Sequence, residues 1–176
     1  MVASLYEFSV GSFVPMLRSL SEVIGKAAAQ STAKKTDASA LVDGRLASDM
    51  FPLTRQVQLA CDHAKDTVAR LTGTAAPSFP DNEKTLPELK QRIAQTLAYL
   101  DKAKVEEFEG ADKRAIELPG PPGMKFRFTG EELLRDWALP HFYFHVVTAY
   151  DILRHKGIDI GKRDYLSNVG KYIRSA

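Results

Sequence analysis

The chain has 176 residues, of which 44% are hydrophobic and 26% charged, and this composition predicts one soluble globular domain over residues 1–176. Its 24 basic and 22 acidic side chains give a formal net charge of only +2, so the charge balance does not indicate a nucleic acid or an anionic membrane surface as a partner. No stretch approaches the ~18 consecutive apolar residues of a membrane span, which excludes a helical span.

The first half of the chain shows three long segments with helical periodicity. The first runs from about Ser4 to Gln30, and Pro15 inside it should bend or stagger the helix. A short helix capped by Asp37 follows. The second long helix is predicted from Pro52 to Gly73, since proline suits a first helical turn and glycine a C-terminal cap. The third begins with the capping-box sequence T-L-P-E at residues 85–88 and continues to about residue 100.

The second half of the chain changes character before it becomes helical again. Residues 113–128 read as two short alternating strands around the turn P-G-P-P-G. The sequence T-G-E-E at residues 129–132 then opens a fourth helix that runs to about His155, and the polar segment after Gly157 should lie across the surface. These elements predict an all-α four-helix bundle with a small β-hairpin between helices three and four.

The fourth helix carries two histidines, His141 and His145, with i, i+4 spacing. This spacing places both imidazoles on one face of a helix, within a stripe that is otherwise apolar. The pair indicates either a metal pocket or hydrogen-bonded core histidines, and both interpretations stay open. Phe142 stands where the zinc metalloproteases have a glutamate, so the pair does not belong to that class of enzyme.

Two further histidines are candidates for a third ligand, which a useful metal site requires. His63 lies at the flank of the apolar stripe of the second helix, from where it can face the fourth helix. His155 lies in the last helical turn, where a cation is stabilised by the helix dipole, so we interpret it as a terminal residue rather than a ligand. Gln56 and Thr67 lie within two turns of His63 and are predicted to orient its ring.

Several neighbouring residues have both a structural and a functional interpretation. Pro140 removes the normal partner of the Asp136 carbonyl, and the resulting kink would open space beside the histidine pair. Trp137 is either a large core aromatic, the interpretation we favour, or part of the cavity wall.

Cys61, the single cysteine, is expected to be buried and inert, and it fits a reducing compartment. Four charged residues around the second helix are expected to form surface pairs or the rim of a pocket: Arg45, Asp49, Arg55 and Asp62.

Three long motifs also carry a family resemblance: R-L-A-S-D-M-F-P-L-T-R-Q-V-Q-L-A-C-D-H-A-K, F-T-G-E-E-L-L, and L-P-H-F-Y-F-H-V-V-T-A-Y-D-I-L-R-H-K-G followed by G-K-R-D-Y-L. Over about residues 4–166 the chain resembles a family of domains of unknown function in the DinB/YfiT-like superfamily. The resemblance implies a four-helix bundle with a divalent-metal pocket, and the ligand positions of that superfamily match His63, His141 and His145. It also implies a homodimer, because dimers are common among these proteins.

Two functional hypotheses follow. One is a metal-dependent enzyme that uses Zn or Ni, either a thiol-dependent transferase or a hydrolase, whose catalytic residues beyond the metal ligands stay unassigned. The other is a non-catalytic homodimeric bundle that binds a small ligand or a protein partner, with structural histidines. Because the N-terminus shows no basic segment followed by an apolar run, we expect no secretory signal and a cytoplasmic location.

Overall fold

The computed structural model describes residues 4–35 and 37–174. Its α-helices, in chain order, are α1 (Leu5–Lys34), α2 (Ser39–Val42), α3 (Leu53–Thr72), α4 (Leu86–Leu100), α5 (Gly130–Glu132), α6 (Leu139–His155) and α7 (Lys162–Tyr165). A two-stranded sheet, β1 (Ile116–Pro119) and β2 (Lys125–Phe128), lies between α4 and α5. Short 3-10 turns at Val105–Phe108, Ala111–Lys113 and Ser167–Tyr172 complete the elements. The chain is therefore mostly helical with a small antiparallel sheet.

Capping side chains set where several helices begin. The hydroxyl of Thr85 accepts the N–H of Glu88 at 3.3 Å, and the Glu88 carboxylate accepts the N–H of Thr85 at 2.9 Å. Thr129 and Glu132 make the same reciprocal pair before α5. These two predicted capping boxes are confirmed. At the other end of α3, Gly73 has a φ of 74°, a left-handed conformation that glycine adopts without strain.

The first helix is longer than predicted. It continues past Gln30 to Lys34 and includes Pro15 without ending there. The N-cap residue of α2 is Ala38, whose side chain makes no capping hydrogen bond. The carboxylate of Asp37, one residue earlier, accepts the N–H of Ser39 at 2.8 Å. Asp37 therefore caps α2 as predicted, but from the position before the N-cap.

The four long helices pack on one another around an apolar core. The most extensive contacts join α3 to α6 and α1 to α4, and α3 also packs on α4. Phe13 of α1 meets Phe142 of α6 edge to face, with ring centroids 4.8 Å apart, and both rings are fully buried. Burying one such side chain contributes about 1.5–3 kcal/mol, so this core holds α6 firmly against its neighbours. The α3–α6 contact is the one that positions the histidines.

A π-helical segment, Leu133–Ala138, precedes α6. Sequence periodicity predicted one continuous α-helix here, interrupted only by the missing N–H of Pro140. In the structure the N–H of Leu139 donates to the carbonyl of Leu134, five residues back. A π turn shifts the hydrogen-bond pairing by one residue, and here the shift lies directly before Pro140, the residue that has no N–H to donate. The predicted helix therefore continues through this stretch, but the prediction that it is α-helical is wrong for Leu133–Ala138.

The β-hairpin forms where the alternating pattern predicted it. Its antiparallel register pairs Ile116 with Phe128 and Pro119 with Lys125. Ile116 is buried, as is Leu118, whereas Glu117 on the opposite face pairs with Lys125 at 2.7 Å. Because a lone hairpin is only marginally stable, this buried face is what attaches it to the helices.

The segment after Gly157 lies on α1. Helix α7 has no buried residue, and Asp164 pairs with Lys26 of α1. Ile158 and Ile160 are nevertheless buried, so the expectation of a purely superficial tail is wrong for these two residues. Among the residues described, no helix is both long enough and apolar enough to cross a membrane.

Candidate metal centre

The packing of α3 against α6 brings three imidazoles together. One ring nitrogen from each of His63, His141 and His145 lies within 4.8 Å of the other two. The His63 ring stacks on both partners, with centroid distances of 4.7 Å to His141 and 5.5 Å to His145. The three predicted histidines thus converge, although only His145 is buried, with 7% of its surface exposed, and the other two are half-buried. The cluster lies at the edge of the core rather than at its centre.

A buried glutamine holds the ring of His145. The Nε2 of Gln56 donates to the carbonyl of Phe51 at 3.2 Å, which directs its Oε1 toward α6. That oxygen lies 2.7 Å from Nδ1 of His145. Because an amide oxygen can only accept, Nδ1 carries the proton and donates it, leaving the lone pair on Nε2 of His145. A metal-binding histidine is usually held through its other ring nitrogen in this way.

The prediction that Gln56 and Thr67 orient His63 is wrong. Gln56 lies two turns before His63 on α3 and reaches across to α6 instead. The hydroxyl of Thr67 donates to the main-chain carbonyl of His63 at 2.6 Å, so it satisfies the backbone rather than the ring. Among the residues that the structure describes, no side chain is hydrogen-bonded to the ring of His63 or of His141.

Burial keeps two of the rings neutral. The pKa of His63 is lowered from 6.5 to about 4, mainly by loss of hydration and to a smaller extent by the imidazoles of His141 and His145. Burial likewise lowers the pKa of His145 to about 4, with smaller contributions from His141 and from the Arg55 guanidinium. Neutral imidazole is the form that binds a divalent cation, so at pH 7 these side chains do not need to lose a proton first.

The donor set fits a divalent ion of the zinc type. Three neutral imidazoles with no carboxylate suit Zn or Ni, and they leave one position open for water or another ligand. A tetrahedral ion at ~2.0–2.1 Å from each nitrogen needs those nitrogens roughly 3.4 Å apart. The ring nitrogens of the three histidines, which lie up to 4.8 Å apart, must therefore move closer together to bind such an ion. The rings of His63 and His141, which no described side chain restrains by a hydrogen bond, are free to do so.

An open cleft of about 620 Å³ adjoins the three histidines. Its wall includes Trp137, whose ring is tilted against that of His141 with centroids 4.5 Å apart. The outer side of the indole contacts Phe126 and Phe128 of β2, at 5.1 Å and 5.9 Å. Trp137 is half-buried, so of its two interpretations the structure supports the cavity wall rather than the core. The hairpin is thereby connected to the site.

The remaining histidine and the cysteine lie outside the cluster. His155 is exposed in the last turn of α6, where the helix dipole favours a cation, as predicted. Cys61 is fully buried, and loss of hydration raises the pKa of its thiol to about 12. A thiol held in that protonated form is a poor nucleophile, which confirms the inert interpretation.

Sequence reasoning missed a buried cation on α4. The side chain of Arg92 is only 1% exposed, and its guanidinium contacts Asp62 at 2.8 Å, Asp81 at 3.1 Å and Glu83 at 3.1 Å. Asp62 therefore belongs to a buried network rather than to the predicted surface pairs. The sequence does hold a signal that could have identified Arg92, namely that a charged residue interrupts the apolar stripe of α4.

Two other members of that predicted set make simpler contacts. Arg55 pairs with Asp81 at 2.6 Å, and Arg45 donates to the main-chain carbonyls of Ser48 and Met50. No ion pair or side-chain hydrogen bond of Asp49 to another described residue occurs. None of these residues lines the cleft beside the histidines, so the rim interpretation is not supported.

Comparison with known proteins agrees with this architecture. Residues 5–166 match the family model of a domain of unknown function, DUF1993. The crystal structure of a DinB family member protein from Shewanella denitrificans is 46% identical in sequence, with a TM-score of 0.85 over 92% of this chain and 91% of that one. No curated protein matches the chain. The chain therefore belongs to the DUF1993 family, a family of domains of unknown function that falls within the DinB-like superfamily.

Proposed function

We propose that the chain is a metal-dependent enzyme built as a single-domain, DinB-like four-helix bundle. In this proposal His63, His141 and His145 hold one divalent ion, Zn or Ni. The observation that supports it is the convergence of three ring nitrogens within 4.8 Å, next to a glutamine that leaves Nε2 of His145 unprotonated. Resemblance to the superfamily supports the same three ligands and a homodimer, and the single cysteine supports a reducing, cytoplasmic location.

The chemistry would come from the ion together with the shape of the cleft. A bound divalent ion acts as a Lewis acid that acidifies water or a thiol at its open position. The chain itself supplies neutral imidazoles, the Gln56 contact that fixes one of them, and the indole of Trp137 beside His141. Because Cys61 is buried, any reacting thiol has to come from a substrate. A thiol-dependent transferase or a hydrolase is the reaction class that we propose.

One observation favours a second candidate, a non-catalytic protein that binds a small ligand. Among the described residues lining the cleft, the three histidines are the only ionisable side chains. If all three bind metal, no separate side chain remains in the cleft to act as a general acid or base. A binding protein needs no such group.

Metal titration of the purified, chelator-treated protein tests the proposal. We expect one equivalent of Zn²⁺ or Ni²⁺ to bind the natural chain and the control variant His155→Ala, and none to bind His145→Ala. Circular dichroism checks that His145→Ala keeps its helices. Equal metal affinity in both variants would overturn the metal site.

The enzyme and the binding protein are then separated by assay. Metal-loaded protein is screened for thiol-dependent transfer and for hydrolysis, with His145→Ala as the blank. Turnover that disappears in this variant supports the enzyme, whereas stoichiometric ligand binding without turnover supports the second candidate.

A further inference from the structure

The cleft beside the histidines is apolar except at one end. Its walls are formed by Phe51, Leu59, Trp137, Pro140 and Phe144, and its ionisable end is the histidine cluster. A volume of about 620 Å³ falls within the usual range for small-molecule sites, roughly 300–1,000 Å³. Such a site suits a ligand with one polar group and an apolar body.

The charge of the site determines the polar group. Neutral imidazoles leave both positive charges of a divalent ion uncompensated. The carboxylate that acts electrostatically on His63 belongs to Asp66, and it lines an adjoining cavity of about 300 Å³ that shares His63 and Trp137 with the cleft. Its charge is already paired, with Lys65 at 2.7 Å and with Arg70 at 3.8 Å. Charge complementarity therefore favours an anionic donor at the histidine end of the cleft.

The mouth of the cleft determines the body of the ligand. Phe51 and Phe144 both line it, with 54% and 56% of their surfaces exposed. A flat apolar group packed against them would remove this surface from water and gain affinity. A second charge placed there would lose hydration without meeting an opposite charge among the described lining residues.

We propose that this cleft binds a small amphipathic monoanion, with its anionic group at His63, His141 and His145 and a flat apolar body packed against Phe51, Phe144 and Trp137. The proposal rests on the metal function proposed above. It adds the chemical class of the ligand, which the metal site alone does not determine.

Calorimetric titration of Zn²⁺-loaded protein tests the ligand class with four probes. Phenylacetate has both parts, acetate lacks the body, benzyl alcohol lacks the charge, and 1,4-phenylenediacetate adds a second charge to the far end of the ring. We expect phenylacetate to bind roughly tenfold more tightly than each of the others. Fluorescence of Trp137, the single tryptophan, should change when phenylacetate binds, because the indole lines the cleft.

Paired variants locate the binding. Phe144→Ser should reduce phenylacetate affinity to that of acetate while Zn²⁺ affinity is unchanged. Phe8→Ser is the matched control, since Phe8 is 51% exposed but lies at a different cavity. Identical behaviour of the two variants would overturn the proposal.

Further results would also overturn it. Acetate binding as tightly as phenylacetate would exclude the apolar body, and phenylenediacetate binding as tightly would exclude the restriction to a monoanion. Phenylacetate binding no better than benzyl alcohol would exclude the anionic end. Sedimentation showing a dimer that Phe144→Ser dissociates would assign the cleft to a second copy of the chain. Zn²⁺ titration without probes separates the two proposals, since metal binding without phenylacetate binding refutes only the ligand class.

Discussion

Gln56 on α3 and His145 on α6 are joined by a hydrogen bond of 2.7 Å between Oε1 and Nδ1. Both side chains are buried, and the amide is itself held by the carbonyl of Phe51. This contact connects the helix that carries His63 to the helix that carries the other two histidines. It therefore determines which nitrogen of His145 faces the candidate site.

Gln56→Leu should weaken Zn²⁺ binding about 10–100-fold, because it removes the acceptor that holds His145 in one tautomer. Gln56→Glu keeps an acceptor at the same place and should restore affinity. Competition with a chromogenic chelator measures both values. Gln58→Leu is the control, since Gln58 is also buried on α3 but donates to Glu83 instead. If Gln56→Leu and Gln58→Leu weaken binding equally, Gln56 has no orienting role.

Local sequence patterns predicted those parts of the fold that depend on local interactions. The capping boxes at Thr85 and Thr129 operate over three residues, and the His141–His145 spacing needs only one helical turn. The hairpin followed from strand alternation within a dozen residues. Predicting each of these features required no knowledge of how the helices pack. Predicting His63 as the third ligand required more than a local pattern, because it rested on the elimination of His155 and on the family resemblance.

The contacts that sequence reasoning missed depend on how distant segments meet. Whether Gln56 faces His63 or His145 is decided by the rotation of α3 against α6. Two of the partners of Arg92, Asp81 and Glu83, come from a loop that carries no periodicity, and the third, Asp62, lies on α3. The π-helical segment directly before Pro140 is a local shift of hydrogen-bond pairing by one residue. None of these leaves a periodic signal in the sequence.

Arg92→Met should lower the free energy of unfolding by about 3 kcal/mol, because it leaves the buried carboxylate of Glu83 without its cation, whereas Asp62 keeps Lys65 at 3.3 Å. The matched control is Arg127→Met. Arg127 pairs with Glu117 at a comparable 3.0 Å, but its side chain is 79% exposed, so we expect a loss of about 0–1 kcal/mol. Urea unfolding measures both. Similar losses would mean that the Arg92 network does not contribute as a buried ion pair.

Cys61 should not react with a disulfide reagent in the native protein. Its thiol is fully buried and its pKa is raised to about 12, so almost no thiolate is present at neutral pH. Labelling should therefore follow unfolding, and its rate should rise with urea in parallel with loss of the helical signal. Because this is the single cysteine, the labelling has one source. Immediate labelling in native buffer would contradict the burial.

Acidification should destabilise the metal-free protein before the carboxylates titrate. His63 and His145 have a pKa of about 4 in the folded chain and 6.5 as an unperturbed value. Between these values the unfolded chain binds more protons, so the free energy of unfolding falls as the pH falls from about 7.5 to about 5.5. Urea unfolding across this range measures the slope. His63→Gln should flatten it and the exposed-site control His155→Gln should not, whereas equal slopes in the two variants would show that His63 does not resist protonation.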